Sequence, residues 1–334
     1  MLAPLAGGPS TPELAAAVAN AGGLGFLAAG YLSADAFADQ LHRARELTDG
    51  LLGANLFVLE EQPVDEDALR DYARELASEG EVGVARFDDD WLDEKLEAVV
   101  SARVEVLSTT FGPPPAGLVD AAHAVGIDVW ATVATTADAR LAVGAGADAL
   151  VVQGLEAGGH RAAFDDLNED EVRLLELLEA MRGAFGIPLV AAGGIADRAT
   201  AEAARAAGAA AVQAGTAFLL CPEAGTHPVH RAAIARGGET AITRAFTGRR
   251  GRGIVNRFMR DHRHAPSAYP HIHHLTAPLR AAARAAGDAD RVNLWAGTRF
   301  ADALNEPAAA VVEQQNGGMR SDVSHRASWC SRGR

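Results

Sequence analysis

Short apolar runs alternate with alanine-rich stretches of helical character along most of this chain, and that alternation restricts its fold more than any other feature. Runs at residues 2–6, 24–28, 53–57, 104–107, 128–133, 149–152, 189–192 and 211–213 are separated by stretches at 12–21, 34–47, 65–79, 92–100, 117–125, 137–144, 169–185 and 199–207. The runs are apolar rather than alternating, which is how strands read when a parallel sheet is covered on both faces. About eight such βα units predict an α/β protein on a (β/α)8 TIM barrel, with a doubly wound open sheet as the alternative. Beyond Cys221 the rhythm is lost. Residues 222–310 are richer in Arg, His and aromatic residues. They are expected to form a smaller, mostly helical cap on the mouth of a barrel spanning 1–221, with a disordered tail over 311–334.

The 334 residues suffice for one large barrel and an appendage. Thirty Lys and Arg against 44 Asp and Glu leave a net charge of −14, a field that removes nucleic acid and anionic membrane from the expected partners. Cys221 and Cys330 are the two cysteines, too few for a disulfide framework and without a CxxC pair for zinc. A reducing cytoplasm is the expected compartment. No signal peptide is legible, and every apolar stretch is broken by Gly, Asp or Arg before it could span a membrane. His262, His264, His271, His273 and His274 crowd the cap region, but no carboxylate or cysteine stands at fixed spacing from them, so no metal is expected. Arg249, Arg250, Arg252 and Arg257 read as cap-to-barrel ion pairs or substrate-carboxylate contacts, and Tyr269 as a cap residue that either reaches the pocket or packs at the surface.

Two stretches, 23–28 and 144–149, match the dinucleotide fingerprint GxGxxA. Both follow a helix and lead into a strand, the reverse of what pyrophosphate binding at a helix N-terminus requires, so they read as tight turns.

Chemistry is expected at the C-terminal tips of the strands, where barrel active sites lie. The loop Gln153-Gly154-Leu155-Glu156-Ala157-Gly158-Gly159-His160-Arg161 leaves one such tip. Paired glycines let backbone approach a flat ligand, and His160 is then held beside it with a side chain suited to proton transfer. Gly193-Gly194 and Gln213-Ala214-Gly215-Thr216 follow the last two strands, the usual place for a barrel phosphate site. Gly7-Gly8 and Asn55 mark two further tips. Ordinary turns are the competing reading of each loop alone. Taken together, several strand tips presenting glycine or amide groups to one face suit a flat, phosphorylated cofactor such as FMN.

These segments resemble the nitronate monooxygenases, once called 2-nitropropane dioxygenases. The resemblance rests on Ala3-Pro4-Leu5-Ala6-Gly7-Gly8 with 10–14, on 21–25, on Gly53-Ala54-Asn55-Leu56-Phe57, and above all on Gln153 to Arg161, which is similar to the motif QGxEAGGHxG. The segments 192–195, 213–218, 246–249, 269–270 and 294–297 are also similar, so the resemblance covers roughly 1–310. It implies FMN contacts at Asn55, Gln153, Gly158, Gly193, Gly194, Gln213, Ala214, Gly215 and Thr216. It implies His160 as catalytic base or anion-stabilising group, with no metal and no nicotinamide requirement. Its small-molecule partners are a nitronate or nitroalkane and O2, and the assembly stays open, with a homodimer as one option. Ala162 stands where the motif ends in glycine, and Leu5 where Met is usual. The short first strand suggests a start further upstream and puts barrel closure and flavin retention in question.

The implied reaction is oxidation of an alkyl nitronate, such as propionate 3-nitronate, to a carbonyl compound plus nitrite or nitrate. Either role for His160 calls for a pKa near working pH. The alternative function on the same fold is an NAD(P)H-dependent FMN reductase acting on an enoyl thioester or quinone. A non-redox phosphate-binding isomerase or synthase is the third possibility.

Overall fold

The computed structural model describes residues 1–316. Its elements run α1 (Pro12–Asn20), β1 (Gly25–Ala28), α2 (Ala34–Leu47), β2 (Leu52–Phe57), α3 (Glu66–Ala77), α4 (Leu92–Ala102), β3 (Val106–Thr110), α5 (Ala116–Ala124), β4 (Asp128–Val133), α6 (Thr136–Gly144), β5 (Ala149–Gln153), β6 (Gly159–His160), α7 (Leu174–Met181), β7 (Leu189–Ala192), α8 (Arg198–Ala206), β8 (Ala211–Gln213), α9 (Pro228–Arg236), β9 (Thr240–Thr243), β10 (Gly251–Ile254), α10 (Arg257–Asp261), α11 (His271–Ala286) and α12 (Ala308–Asn316). Seven parallel strands form one sheet in the order β1-β2-β3-β4-β5-β7-β8.

The eighth strand position is held by a fragment. Leu2 bridges Ala214 in parallel. The Ala3 N–H donates to the Ala214 carbonyl at 2.8 Å, and the Leu2 N–H donates to Leu24 O at 3.0 Å on the other side. These bonds join the two edges of the curled sheet and make it a barrel. The strand expected over 2–6 is thus corrected to a single bridge, because Pro4 has no N–H to continue the ladder.

Alternate strand residues point inward. Phe26, Val106, Trp130, Val151 and Val190 pack together inside the barrel. A Cβ on Gly53 would lie 2.6 Å from the Phe26 ring, so glycine leaves room for that ring. Two residues further along the same faces come Asn55, Ser108, Thr132, Gln153, Ala192 and Gln213. The interior therefore changes from apolar to polar towards the mouth.

Two boundaries depart from expectation. The third strand is shifted to Val106–Thr110 because Arg103 ends α4 in a left-handed conformation. The helix expected over 169–185 is confined to Leu174–Met181. Residues before it are drawn away by Leu155 N–H to Val172 O (2.9 Å) and by Arg250, which reaches Asn168 O and Glu171.

The segment after Cys221 carries helices and also a small antiparallel sheet, β6-β10-β9, whose edge strand comes from the histidine loop. Leu69, Tyr72 and Leu76 of α3 share an apolar cluster with Phe246, Phe258, Ile272 and Leu279. The last helix, α12, packs on α1 and α8. Residues 311–316 of the expected tail complete that helix, and the remainder lies outside the described residues. Among the described residues no helix is long and apolar enough to cross a membrane.

Candidate active site

The residues expected to form the catalytic and cofactor site line one cavity of about 600 Å³ at the C-terminal ends of the strands: His160, Asn55, Gln153, Gly158, Gly193, Gly194, Gln213, Ala214, Gly215 and Thr216. A Cβ on Gly158 would stand 2.4 Å from the Gly297 N. That glycine lets the histidine loop lie directly against the 294–297 segment.

His160 is fixed from three directions. Its backbone pairs with Gly251 in β10. Its carbonyl accepts from Gln153 Nε2 at 3.0 Å, while Gln153 Oε1 accepts from the Ala162 N–H (2.9 Å) and Arg161 Nη1 (3.2 Å). Its ring Nε2 lies 2.9 Å from Thr247 Oγ1, with the Trp295, Tyr269 and Phe111 rings at 5.3, 5.6 and 5.8 Å. Burial, reinforced by the guanidinium groups of Arg249 and Arg280, holds the imidazole down to about 3. This corrects the expectation of a value near working pH. The ring is neutral there, because two cations and an apolar wall oppose a third charge. A neutral ring can accept a hydrogen bond or a proton, as a weak base, and carries no standing positive charge.

The opposite wall offers donors. Among the described residues no acceptor pairs with the backbone N–H groups of Gly194, Gly215 and Thr216. Thr216 Oγ1 accepts from the Gly297 N–H at 3.0 Å, which leaves its own proton to give. Such a set of neutral donors fits a phosphate ester without needing lysine. Asn55 Nδ2 donates to Ser108 Oγ and Thr110 Oγ1, each at 2.9 Å, so the amide presents its oxygen as the group left for a ligand. Gln153 spends most of its amide on the histidine loop, a bracing use that the sequence reading did not foresee.

Among the cavity residues that were missed are Tyr31, Phe111, Arg280 and Arg284. Tyr31 and Phe111 stand just past β1 and β3, where the strand-tip argument applies equally. Phe111 lies 4.1 Å beneath the Arg249 guanidinium. Arg280 and Arg284 share one face of α11 at helical spacing. Arg280 donates to Thr276 Oγ1 (3.0 Å) and His273 O (2.8 Å), and Arg284 donates to Asn293 Oδ1 (2.9 Å). Their partners are all neutral, and burial lowers both, Arg280 to about 10. One buried and one half-buried cation without a carboxylate leave this end of the cavity strongly attractive to an anion.

The remaining cap residues go elsewhere. His262 lies between Glu75 (2.8 Å) and Glu79 (2.6 Å), and His274 lies 2.8 Å from Asp88. Among the described residues no group of His, Cys, Asp or Glu is arranged to hold a metal. Arg250 pairs with Glu171 at 2.6 Å and Arg257 with Asp261 at 3.0 Å, whereas Arg252 donates to Leu155 O at 3.0 Å. Arg249 donates to the carbonyls of Arg161 and Ala163, so it braces the segment that follows His160.

Comparison with known proteins agrees with this arrangement. Residues 1–314 match the family described as nitronate monooxygenase. The chain is 38% identical over 322 residues to a nitronate monooxygenase of Pseudomonas aeruginosa, covering 91% of this chain and 92% of that protein. It is 36% identical over 307 residues to a protein of Bacillus subtilis named probable nitronate monooxygenase, covering 88% of each. Its fold is similar to that of a nitroalkane oxidase from Streptomyces ansochromogenes, with a TM-score of 0.92 at 43% identity over 96% of this chain and 94% of that one. Sequence and fold agree over the same residues, and the chain belongs to the nitronate monooxygenase family as an enzyme of the monooxygenase or oxidase kind.

Proposed function

We propose that this protein oxidises alkyl nitronates with O2 on bound FMN, giving a carbonyl compound plus nitrite or nitrate, and that its preferred nitronates carry a carboxylate, as propionate 3-nitronate does. The observation that carries the reading is the meeting of neutral His160 with the glycine tips of β7 and β8 in one cavity. The open N–H groups of Gly194, Gly215 and Thr216, with Gly193, Gln213 and Ala214, would hold the phosphate, and Asn55, Gln153 and Gly158 the ring. FMN supplies the exchange of single electrons with substrate and O2.

The chain's own residues supply the rest. With Nε2 engaged by Thr247, Nδ1 of His160 is the ring nitrogen left for a substrate. There it takes the α-proton of a nitroalkane, or accepts a hydrogen bond beside a nitronate already ionised. Arg280 and Arg284 receive the substrate carboxylate. Phe111, Tyr269 and Trp295 wall the imidazole from water.

The test is the visible spectrum of purified protein, the mass of the released cofactor, and O2 uptake with propionate 3-nitronate in the absence of NADH. A yellow protein that releases FMN and consumes O2 is expected. A colourless protein that takes up no FMN, or one that turns over only with NADH and an enoyl thioester or quinone, overturns the proposal.

A further inference from the structure

Lys95 and Asp90 form an ion pair at 2.7 Å that is sealed from solvent, with 1% and 6% of each residue exposed. Neither lines the cavity. A pair of this kind contributes little net stability, because desolvation of both charges offsets their attraction. Burial presses on both, lowering Lys95 and raising Asp90. Its use lies in what the second carboxylate oxygen does. Asp90 Oδ1 accepts from the Tyr31 N–H at 3.0 Å. Tyr31 has φ 70°, and Asp90 and Trp91 have φ 60° and 52°. Left-handed backbone is disfavoured for residues with a side chain and persists where surrounding contacts impose it. Both ends of this one hydrogen bond are held that way.

From that backbone the Tyr31 side chain enters the site. Its ring stacks on His273 with centroids 4.1 Å apart and planes within 5°. Its hydroxyl lies 3.2 Å from the Tyr269 hydroxyl. His273 in turn accepts from Arg280 through its backbone oxygen and lies 3.3 Å from Arg280 Nη2 through Nδ1. The contacts therefore run without a break from Lys95 to Asp90, Tyr31, His273 and Arg280.

We propose that the Lys95–Asp90 pair is a positioning device for substrate selection: it fixes the backbone of Tyr31, whose ring sets His273 and Arg280 for the carboxylate of the substrate and whose hydroxyl sets Tyr269 near His160. The substrate part rests on the function proposed above. The positioning part does not.

Two double variants separate the role from simple stability. Asp90→Asn with Lys95→Met removes both charges and keeps an acceptor for the Tyr31 N–H. Asp90→Ala with Lys95→Met removes the charges and the acceptor. The first is expected to keep KM for propionate 3-nitronate within about threefold of the parent, and the second to raise it about tenfold with kcat little changed. Equal KM in the two, or losses confined to kcat, overturn the proposal. If neither double variant folds, Tyr31→Ala against Tyr31→Phe decides it. The alanine form is expected to raise KM for the carboxylate-bearing nitronate more than for a simple alkyl nitronate without a carboxylate, and an even loss on both overturns the proposal.

A readout independent of substrate uses the three tyrosines of the chain, Tyr31, Tyr72 and Tyr269. All three resist ionisation through burial, Tyr31 up to about 12. Both double variants lose the Asp90 charge that helps hold Tyr31 and Tyr269 up, so the comparison is between them: ultraviolet titration of tyrosinate should show two tyrosines ionising earlier in the alanine double variant than in the asparagine one. Identical titrations overturn the positioning role. If the parent protein turns over no nitronate, the proposed function falls, and this titration still decides the role of the pair.

Discussion

His160 Nε2 and Thr247 Oγ1 lie 2.9 Å apart, and this contact commits one ring nitrogen to the segment between β9 and β10. Thr247 also lies 3.3 Å from both the N–H and the carbonyl of Arg249, so its hydroxyl is itself anchored. Thr247→Val keeps the shape and deletes the partner. It is expected to lower kcat/KM for a nitroalkane about tenfold, with Thr247→Ser restoring it. Parent-like kinetics in the valine variant would show that the ring is held by its aromatic neighbours alone.

Replacing the imidazole tests the base role directly. His160→Ala should abolish use of neutral nitroalkanes and spare part of the activity on preformed nitronates, since only the former need a proton removed. Steady-state O2 uptake with both forms of one compound measures this. Equal nitroalkane turnover by parent and variant refutes the assignment.

Acid should destabilise this fold earlier than its carboxylates require. His160, His230 and His273 are held to about 3, about 4 and about 2 against an ordinary value of 6.5. Between those values and 6.5 the unfolded chain binds protons that the folded chain refuses, so stability rises with pH across this window and falls as pH drops through it. Each histidine contributes a slope of at most about 1.4 kcal/mol per pH unit. Asp90 and Asp138, pushed upward by burial, act in the opposite sense. Denaturant midpoints that stay level from about pH 7 to about pH 5 would contradict the histidine shifts. In the same range kcat/KM should show no acid limb from His160, because the free enzyme does not protonate it.

Arg280→Met should separate recognition from chemistry. Loss of a buried charged hydrogen-bond donor is expected to raise KM for propionate 3-nitronate by about tenfold to a hundredfold and leave a simple alkyl nitronate without a carboxylate within about threefold. Removing a cation that has only neutral partners should not lower the melting temperature. A uniform loss on both substrates would place the substrate carboxylate elsewhere.

Much of this architecture was legible because parallel barrels write a simple code. Residues 129–131, 189–192 and 211–212 are apolar on both faces, and the glycine pair that follows β7 suits neither a strand nor a helix. What escaped depends on contacts distant in sequence. Glu171 turns away from helix because Arg250, far along the chain, takes its carboxylate. Tyr31 and Asp90 meet only because α4 and the tip of β1 converge, and no local pattern announces that. The protonation of His160 depends likewise on Arg249 and Arg280, which arrive from the cap. Residue type suggested a histidine of ordinary basicity, and only its tertiary surroundings make it a weak base.

The pairing of Gly159 and His160 with Arg252 and Gly251 has one more consequence. The imidazole belongs to a ribbon shared by both halves of the molecule, anchored to the barrel through Gln153 and to the upper structure through β10. That structure cannot swing away as a hinged cover without carrying the imidazole off with it. Traffic of reactant and product must pass around its rim while the seam stays stitched.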